Sequence, residues 1–410
     1  MVLMYSRSYG PTIEENTSLT DKSILDIRNC VMRILVTGGA GFVGSFLCEN
    51  LRKSGYDIRI FDNYEPQVHA GSQGNLGGLL QPSGLPMKGV EIVYGDTRST
   101  SQLDAALKDV DAVVHLAAQV GVGQSMYEIH RYVDHNTVGT AVLLELLASR
   151  RHNVKKLVVA SSMSIYGEGG ARCSHCGDVT PTLREAEQMR RGDWEVRCPI
   201  CDRSATPIPT GEAKPVLPTS IYAISKRDQE EMCLVVGRAY DIPSVALRFF
   251  NIYGPRQSLG NPYTGVAAIF SSRLLNNHAP VVFEDGNQTR DFVHVKDIVQ
   301  AISLALAKDE ANGQVFNVGT GRPTSIKEVA TILARKMRRD IAPQIENKFR
   351  EGDVRHCYAD IGKIQRYLGY KPTVELESGI EDLIAWAEDQ QAEDRFEHAA
   401  AELAKRGLAR

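Results

Sequence analysis

The sequence predicts an α/β fold: a Rossmann-like, doubly wound parallel sheet, a smaller C-terminal substrate domain and a cysteine-rich zinc insertion. Three observations predict it. A short apolar strand runs into a glycine-rich turn and a helix in MRILVTGGAGFVG (32–44). Further short apolar runs alternate with helical segments at 58–61, 90–94, 112–116 and 156–160. Two C-x2-C pairs, Cys173/Cys176 and Cys198/Cys201, interrupt that alternation.

The first strand, 33–36, is followed by Gly38, Gly41 and Gly44, and then by helical spacing over 43–54. Gly38 permits the tight turn. Gly41 lets the backbone approach a pyrophosphate, and Gly44 lets the helix sit close to the strand. The helix N-terminus turns unpaired N–H groups toward that anion. The second strand, 58–61, ends in Asp62, followed by Asn63. A carboxylate there accepts from adenosine ribose hydroxyls and repels a 2′-phosphate, so NAD is expected over NADP. The third strand, 90–94, leads into Gly95-Asp96. Asp96 either meets the adenine amino group or caps the following helix. The fourth, 112–116, leads into Ala117-Ala118, two small side chains against which a flat ligand can lie.

Ser162 follows the fifth strand, 156–160, at the carboxyl edge of the sheet. Tyr222 and Lys226 are four apart in a helical segment, 222–240, and so share a face. An ammonium near a phenol stabilises the phenolate, which makes the tyrosine a proton acceptor closer to neutral pH. The serine hydroxyl can share the substrate oxygen with it.

These motifs resemble the extended short-chain dehydrogenase/reductases, specifically the NAD-dependent nucleotide-sugar epimerases and dehydratases. The matching pieces are TGGAGFVG (37–44), DN (62–63), GD (95–96), HLAAQ (115–119), SSMSIYG (161–167), YAISK (222–226), RFFNIYGPRQ (248–257), RDFVHVKD (290–297) and NVGTG (317–321). The resemblance covers residues 32 to 385. It implies an NAD-binding domain over 31–250, a mainly sugar-nucleotide-binding domain over 251–385 that returns to the Rossmann sheet, tightly held NAD, and a homodimer. It adds Phe42, Val43, Thr97, Leu116, Gln119 and Asn136 to the cofactor contacts, and Ser125, Ser164 and Asn251 to the substrate contacts. Arg290 would pair with the nucleotide diphosphate, since guanidinium matches phosphate bidentately. Arg355 resembles a second phosphate arginine, with a surface salt bridge as the alternative. Asp353 would accept from a ribose hydroxyl, and 261–270 would approach the base.

Within that family, 4,6-dehydratases carry a Thr-Asp-Glu run where this chain has Ser162, Met163 and Ser164. Neither Met nor Ser can serve as that acid and base, so the epimerase pattern fits. The runs DNYEPQVH (62–69), AAQVGVGQSMYEI (117–129) and SSMSIYGEG (161–169) are most similar to the epimerases that convert dTDP-L-rhamnose to dTDP-6-deoxy-L-talose, acting in carbohydrate (lipopolysaccharide) biosynthesis. UDP-sugar 4-epimerases of the glucose/galactose or glucuronate type, 4-keto reductases acting on a dTDP-4-keto-6-deoxyhexose, and a dinucleotide-binding regulator are the alternatives.

The two C-x2-C pairs lie 21 residues apart within a polar insertion, 170–215. Four thiolates make a closed tetrahedral zinc site with no open position, hence structural Zn²⁺. His175 is a secondary ligand candidate, and a redox pair or free thiols are the rivals. Cys30, Cys48, Cys233 and Cys357 are unpaired and read as packing residues.

With 410 residues, 43% of them hydrophobic, the chain can bury a large core. A net charge of −3 gives no reason to expect nucleic-acid binding, and no apolar run is long enough for a bilayer. Sparse cysteines and a polar N-terminus predict a reducing, cytoplasmic setting. Residues 1–30 read as an N-terminal extension, 380–410 as helical, and the end, 386–410, as a C-terminal surface helix or frayed tail.

Overall fold

The computed structural model describes residues 31–69, 74–263 and 265–409. The expected extension over 1–30, with Cys30, lies outside them.

Seven parallel strands form the central sheet, in the order Val315–Val318, Ser244–Phe249, Lys156–Ser162, Ala112–His115, Arg33–Thr37, Asp57–Asp62, Val90–Tyr94. Apolar runs form its centre because helices cover both faces. Ile34, Leu35 and Val36 are fully buried. Alternate side chains point to opposite faces. Ile34 and Val36 join one core with Leu47 and Leu51 of helix Phe42–Lys53 and Ile298 and Ile302 of helix Val295–Ala307. Leu35 joins the other, with Leu143 and Leu147 of helix Gly139–Ala148 and Cys233 of helix Ile221–Ala239. The strand order reverses between Arg33–Thr37 and Ala112–His115, where such sheets open a ligand crevice.

Strand Thr289–His294 anchors a smaller sheet with Asn251–Tyr253, Pro323–Ser325 and His356–Cys357. Helices Val266–Leu275, Ile326–Lys336 and Leu376–Ala387 close a third core there through Phe270, Leu274, Leu333 and Leu383. The cysteine insertion is a three-stranded antiparallel sheet of Gly170–Cys173, Gly177–Val179 and Ala205–Ile208.

Two expectations change. The fifth strand runs on to Ser162, so this serine is its last residue. The helical C-terminal segment is divided into two helices, Leu376–Ala387 and Phe396–Lys405. The stretch between them lacks apolar periodicity, and Asp394 accepts the amide of Phe396 at 3.0 Å, restarting the helix. The second helix is docked. Ala399 and Leu403 are buried, the Arg406 guanidinium lies 4.3 Å over the Tyr127 ring, and the Leu408 carbonyl accepts from the Glu351 amide at 2.9 Å.

One buried ion pair ties the catalytic helix to the sheet. Glu230 of helix Ile221–Ala239 takes the Arg248 guanidinium at 2.6 to 3.2 Å, and the Ser161 hydroxyl donates to it at 2.6 Å. Arg248 donates onward to the Tyr166 hydroxyl at 2.7 Å. Glu230→Ala leaves a buried guanidinium uncompensated and is expected to cost about 3–5 kcal/mol of stability, measured by urea unfolding.

Candidate active site

The crevice at the reversal point is a cavity of about 420 Å³, within the range of small-molecule sites. Its cofactor end is shaped by glycines. Gly38 has φ +70°, and a Cβ there would lie 2.9 Å from the Ala117 amide nitrogen. A Cβ on Gly44 would lie 2.2 Å from the Gly38 carbonyl oxygen, which is why the helix can start so close to the strand. Gly41 caps helix Phe42–Lys53 without a side-chain hydrogen bond, so the first-turn amides stay open to an anion.

Gly38, Gly41, Phe42, Val43, Gly44, Asp62, Asn63, Thr97, Leu116, Ala117, Ala118, Gln119, Tyr222 and Lys226 all line this cavity. Asp62 is fixed by the amides of Ala40 at 3.0 Å and Tyr64 at 2.9 Å, with His69 Nε2 at 3.4 Å. The glycine cradle, the open helix terminus and this held carboxylate fit an NAD molecule. Asp96 and Asn136 stand behind the lining. Asp96 is taken by Arg98 at 2.7 Å and by Asn63 at 3.0 Å, and the Arg98 hydrogen bonds hold its carboxyl well below the usual range. Asn136 accepts from the Gln119 amide at 2.7 Å and donates to Ser225 Oγ at 2.9 Å. It thereby braces the loop after Ala112–His115 against the helix that carries Tyr222.

Ser162, Met163, Ser164, Tyr222, Lys226 and Asn251 meet at the other end. Burial raises the Tyr222 phenol, and its hydrogen bond with Ser162 opposes the rise. Burial also pushes the Lys226 ammonium down, to about 7. That ammonium donates to the Ala160 carbonyl at 2.8 Å and to Gln229 Oε1 at 2.7 Å. Gln229 is held in turn by Thr140 Oγ1 at 2.8 Å and lies 3.3 Å from His115, whose imidazole burial keeps neutral. Asn251 Oδ1 and Gln257 Oε1 are buried without a hydrogen-bond partner, and both residues line the cavity. Such orphaned acceptors in a concave site are positioned for ligand donors. Asn261 and Tyr263, from the stretch 261–270 expected to approach the base, also line the cavity. Gln257 and His69 were not singled out from the sequence, although Gln257 ends the motif RFFNIYGPRQ from which Asn251 was taken.

The remaining substrate candidates lie outside the lining. Ser125 donates to the Val122 carbonyl at 2.6 Å. Arg290 donates to the carbonyls of Val354 at 2.6 Å and Arg355 at 3.1 Å and reaches Asp353 at 3.2 Å. Arg355 is 1% exposed and its fork is filled by carboxylates of Glu195, Glu284 and Asp285 at 2.7 to 3.1 Å. It is neither a surface salt bridge nor open to phosphate in this arrangement. The guanidinium of that segment with an open side is Arg350, stacked 4.7 Å over Phe283 and paired with Asp353 at 2.7 Å.

Cys173, Cys176, Cys198 and Cys201 converge, with their sulfur atoms all within 4.8 Å of one another. The Cys173–Cys201 separation of 3.5 Å is close to the edge of about 3.8 Å set by tetrahedral Zn–S bonds. The His175 amide lies 3.4 Å from the Cys173 sulfur, and such amide donors hold that thiol down at about 6. The donor set fits a four-thiolate metal ion.

A Rossmann sheet with a glycine cradle, a carboxylate held at the end of its second strand and a Ser-Tyr-Lys set in one crevice is the arrangement of an NAD-dependent epimerase. The chain belongs to the NAD-dependent epimerase/dehydratase family, whose description matches residues 34–186, while that of GDP-mannose 4,6 dehydratase matches 204–383. A dTDP-L-rhamnose 4-epimerase of Burkholderia thailandensis is 35% identical over 86% of this chain and 94% of that protein. A putative UDP-glucose 4-epimerase of Methanocaldococcus jannaschii is 34% identical over 86% and 97%. The structure of Thermus thermophilus UDP-glucose 4-epimerase in complex with NAD is 29% identical over 88% of this chain and 100% of that one, with a TM-score of 0.66. The activity is NAD-dependent 4-epimerisation of a nucleotide-linked sugar. Among the described residues no helix is long and apolar enough to cross a membrane.

Gly44→Ala drives a methyl into the Gly38 carbonyl and is expected to leave purified protein without retained dinucleotide. Extraction and absorbance of the bound fraction measure this.

Proposed function

We propose that the chain interconverts the C4 epimers of a neutral UDP-hexose, of the glucose/galactose type. The observation that carries this is the composition of the sugar end. Ser162, Met163, Ser164, Tyr222 and Asn251 supply hydroxyls, an amide and a thioether, and the carboxylates lining the cavity, Asp62 and Glu65, are already engaged, the first by the Ala40 and Tyr64 amides and the second by Arg131. Among the described residues of the lining, no carboxylate pair stands with Ser162 and Tyr222 to expel a C6 hydroxyl as a dehydratase does. Among the described residues, Lys226 is the sole lysine or arginine of the lining, so a glucuronate carboxylate would meet no guanidinium.

A second reading, dTDP-L-rhamnose to dTDP-6-deoxy-L-talose, is favoured by the Burkholderia relative. Val120, Met163 and Phe250 offer its C6 methyl an apolar wall.

Bound NAD supplies the hydride acceptor and donor at C4. Tyr222 takes the proton of the C4 hydroxyl and later returns it to the 4-keto oxygen. Ser162 hydrogen-bonds that oxygen and Tyr222 together, and the Lys226 ammonium favours the phenolate. The ketone turns within the cavity between the two hydride transfers. Asn251 and Gln257 orient the nucleotide sugar through their free carbonyl oxygens. Gly38, Gly41, Phe42, Val43, Gly44, Asp62, Asn63, Thr97, Leu116, Ala117, Ala118 and Gln119 hold the dinucleotide, with Asp96 and Asn136 acting from behind. The hydride removed from C4 is returned to C4 within each turnover, so no external reductant is consumed.

The test is incubation with UDP-galactose, UDP-glucuronate and dTDP-L-rhamnose without reductant, with products resolved chromatographically. UDP-glucose formed from UDP-galactose supports the first reading. Turnover of the dTDP sugar alone supports the second, and a stoichiometric need for NADPH or NADH replaces both with a keto-reductase. Tyr222→Phe removes the transferable proton and is expected to slow turnover roughly 10²–10⁴-fold while the fold persists.

A structural Zn²⁺ on Cys173, Cys176, Cys198 and Cys201 completes the assignment, and free thiolates of this kind suit a reducing compartment such as the cytoplasm. Elemental analysis is expected to find about one zinc per chain, and Cys198→Ser to lower both metal content and thermal stability. Exposed Ile129, Val133, Val138, Ile224 and Val235, on neighbouring helices beside the site, support a homodimer.

A further inference from the structure

Chemistry at Tyr222 makes no use of a polar knot that joins two walls of the crevice. Strand Arg33–Thr37 lies between Asp57–Asp62 and Ala112–His115. The segments that follow those two flanking strands therefore leave the sheet on either side of the glycine turn that begins at Gly38. Each puts a side chain into the cavity lining, Glu65 from one and Gln119 from the other. Arg131, on the short helix Ile129–Tyr132, reaches both. Its Nη2 donates to Glu65 Oε1 at 3.0 Å and to Gln119 Oε1 at 3.1 Å. Its Nη1 donates to Gln67 Oε1 at 3.0 Å and to Glu128 Oε2 at 2.7 Å. Gln67 makes a second crossing. Its side-chain amide donates to Gln124 Oε1 at 2.8 Å and to Asn261 Oδ1 at 3.3 Å, and Asn261 also lines the cavity.

Both segments are rooted independently of this knot. On one side Asp62 accepts the Ala40 and Tyr64 amides at 3.0 and 2.9 Å. On the other, Asn136 accepts the Gln119 amide at 2.7 Å, and the Tyr132 hydroxyl donates to the Val120 carbonyl at 3.0 Å. Loss of Arg131 therefore cuts the tie between the tips of the two segments and leaves their roots in place. The Arg131 side chain is 26% exposed and its partners Glu65 and Glu128 are 23% and 32% exposed, so water can take over the freed carboxylates. The tie needs a guanidinium. A planar fork serves partners on two sides at fixed angles, whereas a lysine ammonium is a point charge on a flexible stem.

We propose that Arg131 is a positioning residue for the dinucleotide: its guanidinium clasps Glu65 to Gln119 across the crevice and so sets how slowly the cofactor leaves. This rests on the NAD reading of the crevice and is independent of which sugar turns over. Slow release serves the chemistry. The hydride removed from C4 must still be in the crevice when the turned ketone receives it, and a cofactor lost between the two transfers would strand the 4-keto sugar.

The experiment compares full-length holoenzyme of wild type, Arg131→Ala, Arg131→Lys and Gln67→Ala. Excess isotopically labelled NAD is added, and its exchange with the retained cofactor is timed by rapid filtration and mass spectrometry. In parallel, kcat is measured at saturating NAD for whichever nucleotide sugar turns over, and thermal unfolding is recorded. Arg131→Ala is expected to exchange about tenfold faster than wild type, with kcat within about twofold. Arg131→Lys keeps the charge without the fork and is expected to exchange nearly as fast as Arg131→Ala. Gln67→Ala cuts the other crossing and is expected to fall between them and wild type. These two variants carry the comparison if Arg131→Ala does not fold. Exchange at the wild-type rate in the Arg131 variants overturns the inference. Full recovery in Arg131→Lys overturns it as well, since that would mark simple charge balance for Glu65 and Glu128. Parallel losses of kcat and unfolding temperature do the same, as general loosening. Wild type that exchanges NAD but epimerises no sugar sinks the functional reading alone, and the exchange rates still decide the role of Arg131.

Discussion

The carboxylate of Glu230 is the point on which the site depends. It sits on the helix that carries Tyr222 and Lys226, and it takes Arg248 from one strand and Ser161 from the next. A helix packed on a sheet by apolar contacts alone can slide by a fraction of a turn. A bidentate ion pair with a hydroxyl attached cannot do so without leaving a charge unpaired in the interior. Because Ser161 precedes Ser162, the same carboxylate that fixes the helix also fixes the strand end opposite Tyr222. Arg248 extends the constraint to Tyr166, whose hydroxyl donates to Asn317 on the outermost strand at 2.7 Å.

Proton chemistry in the cavity rests on burial opposed by selected hydrogen bonds. Burial alone would keep Tyr222 protonated and Lys226 neutral, which is the wrong pairing for a base. Ser162 works against the first tendency, and the Ala160 carbonyl and Gln229 retain the proton on the second. The neutral His115 behind Gln229 adds no competing charge.

Much of this was legible in the sequence, for a local reason. Strands of a sheet covered on both faces are short continuous apolar runs, so 33–36, 58–61 and 90–94 stood out within a residue or two of their observed ends. Ser162, Tyr222 and Lys226 were legible because a strand end and a four-residue helical spacing place them, and the cysteines because each C-x2-C is a local turn. The fate of Arg355 was not. Its partners Glu195, Glu284 and Asp285 lie 160, 71 and 70 residues away, and nothing in GDVRH reports them. Asp96 was ambiguous for the opposite reason, since Arg98, two residues on, competes for the carboxylate. The break in the C-terminal segment was visible only as missing periodicity over a few polar residues.

The order of the strands has a consequence for synthesis. The strand Ser244–Phe249, buried along its whole length, pairs on one side with Lys156–Ser162 and on the other with Val315–Val318. Until the ribosome has released residues beyond 318, that second side is an open, apolar edge capable of pairing with another nascent chain. The Glu230–Arg248 clamp can form before then, but the sheet beneath it is not closed. During translation the chain must therefore hold an almost complete dinucleotide-binding half with one adhesive flank, and a message truncated before codon 315 would encode a product prone to aggregate.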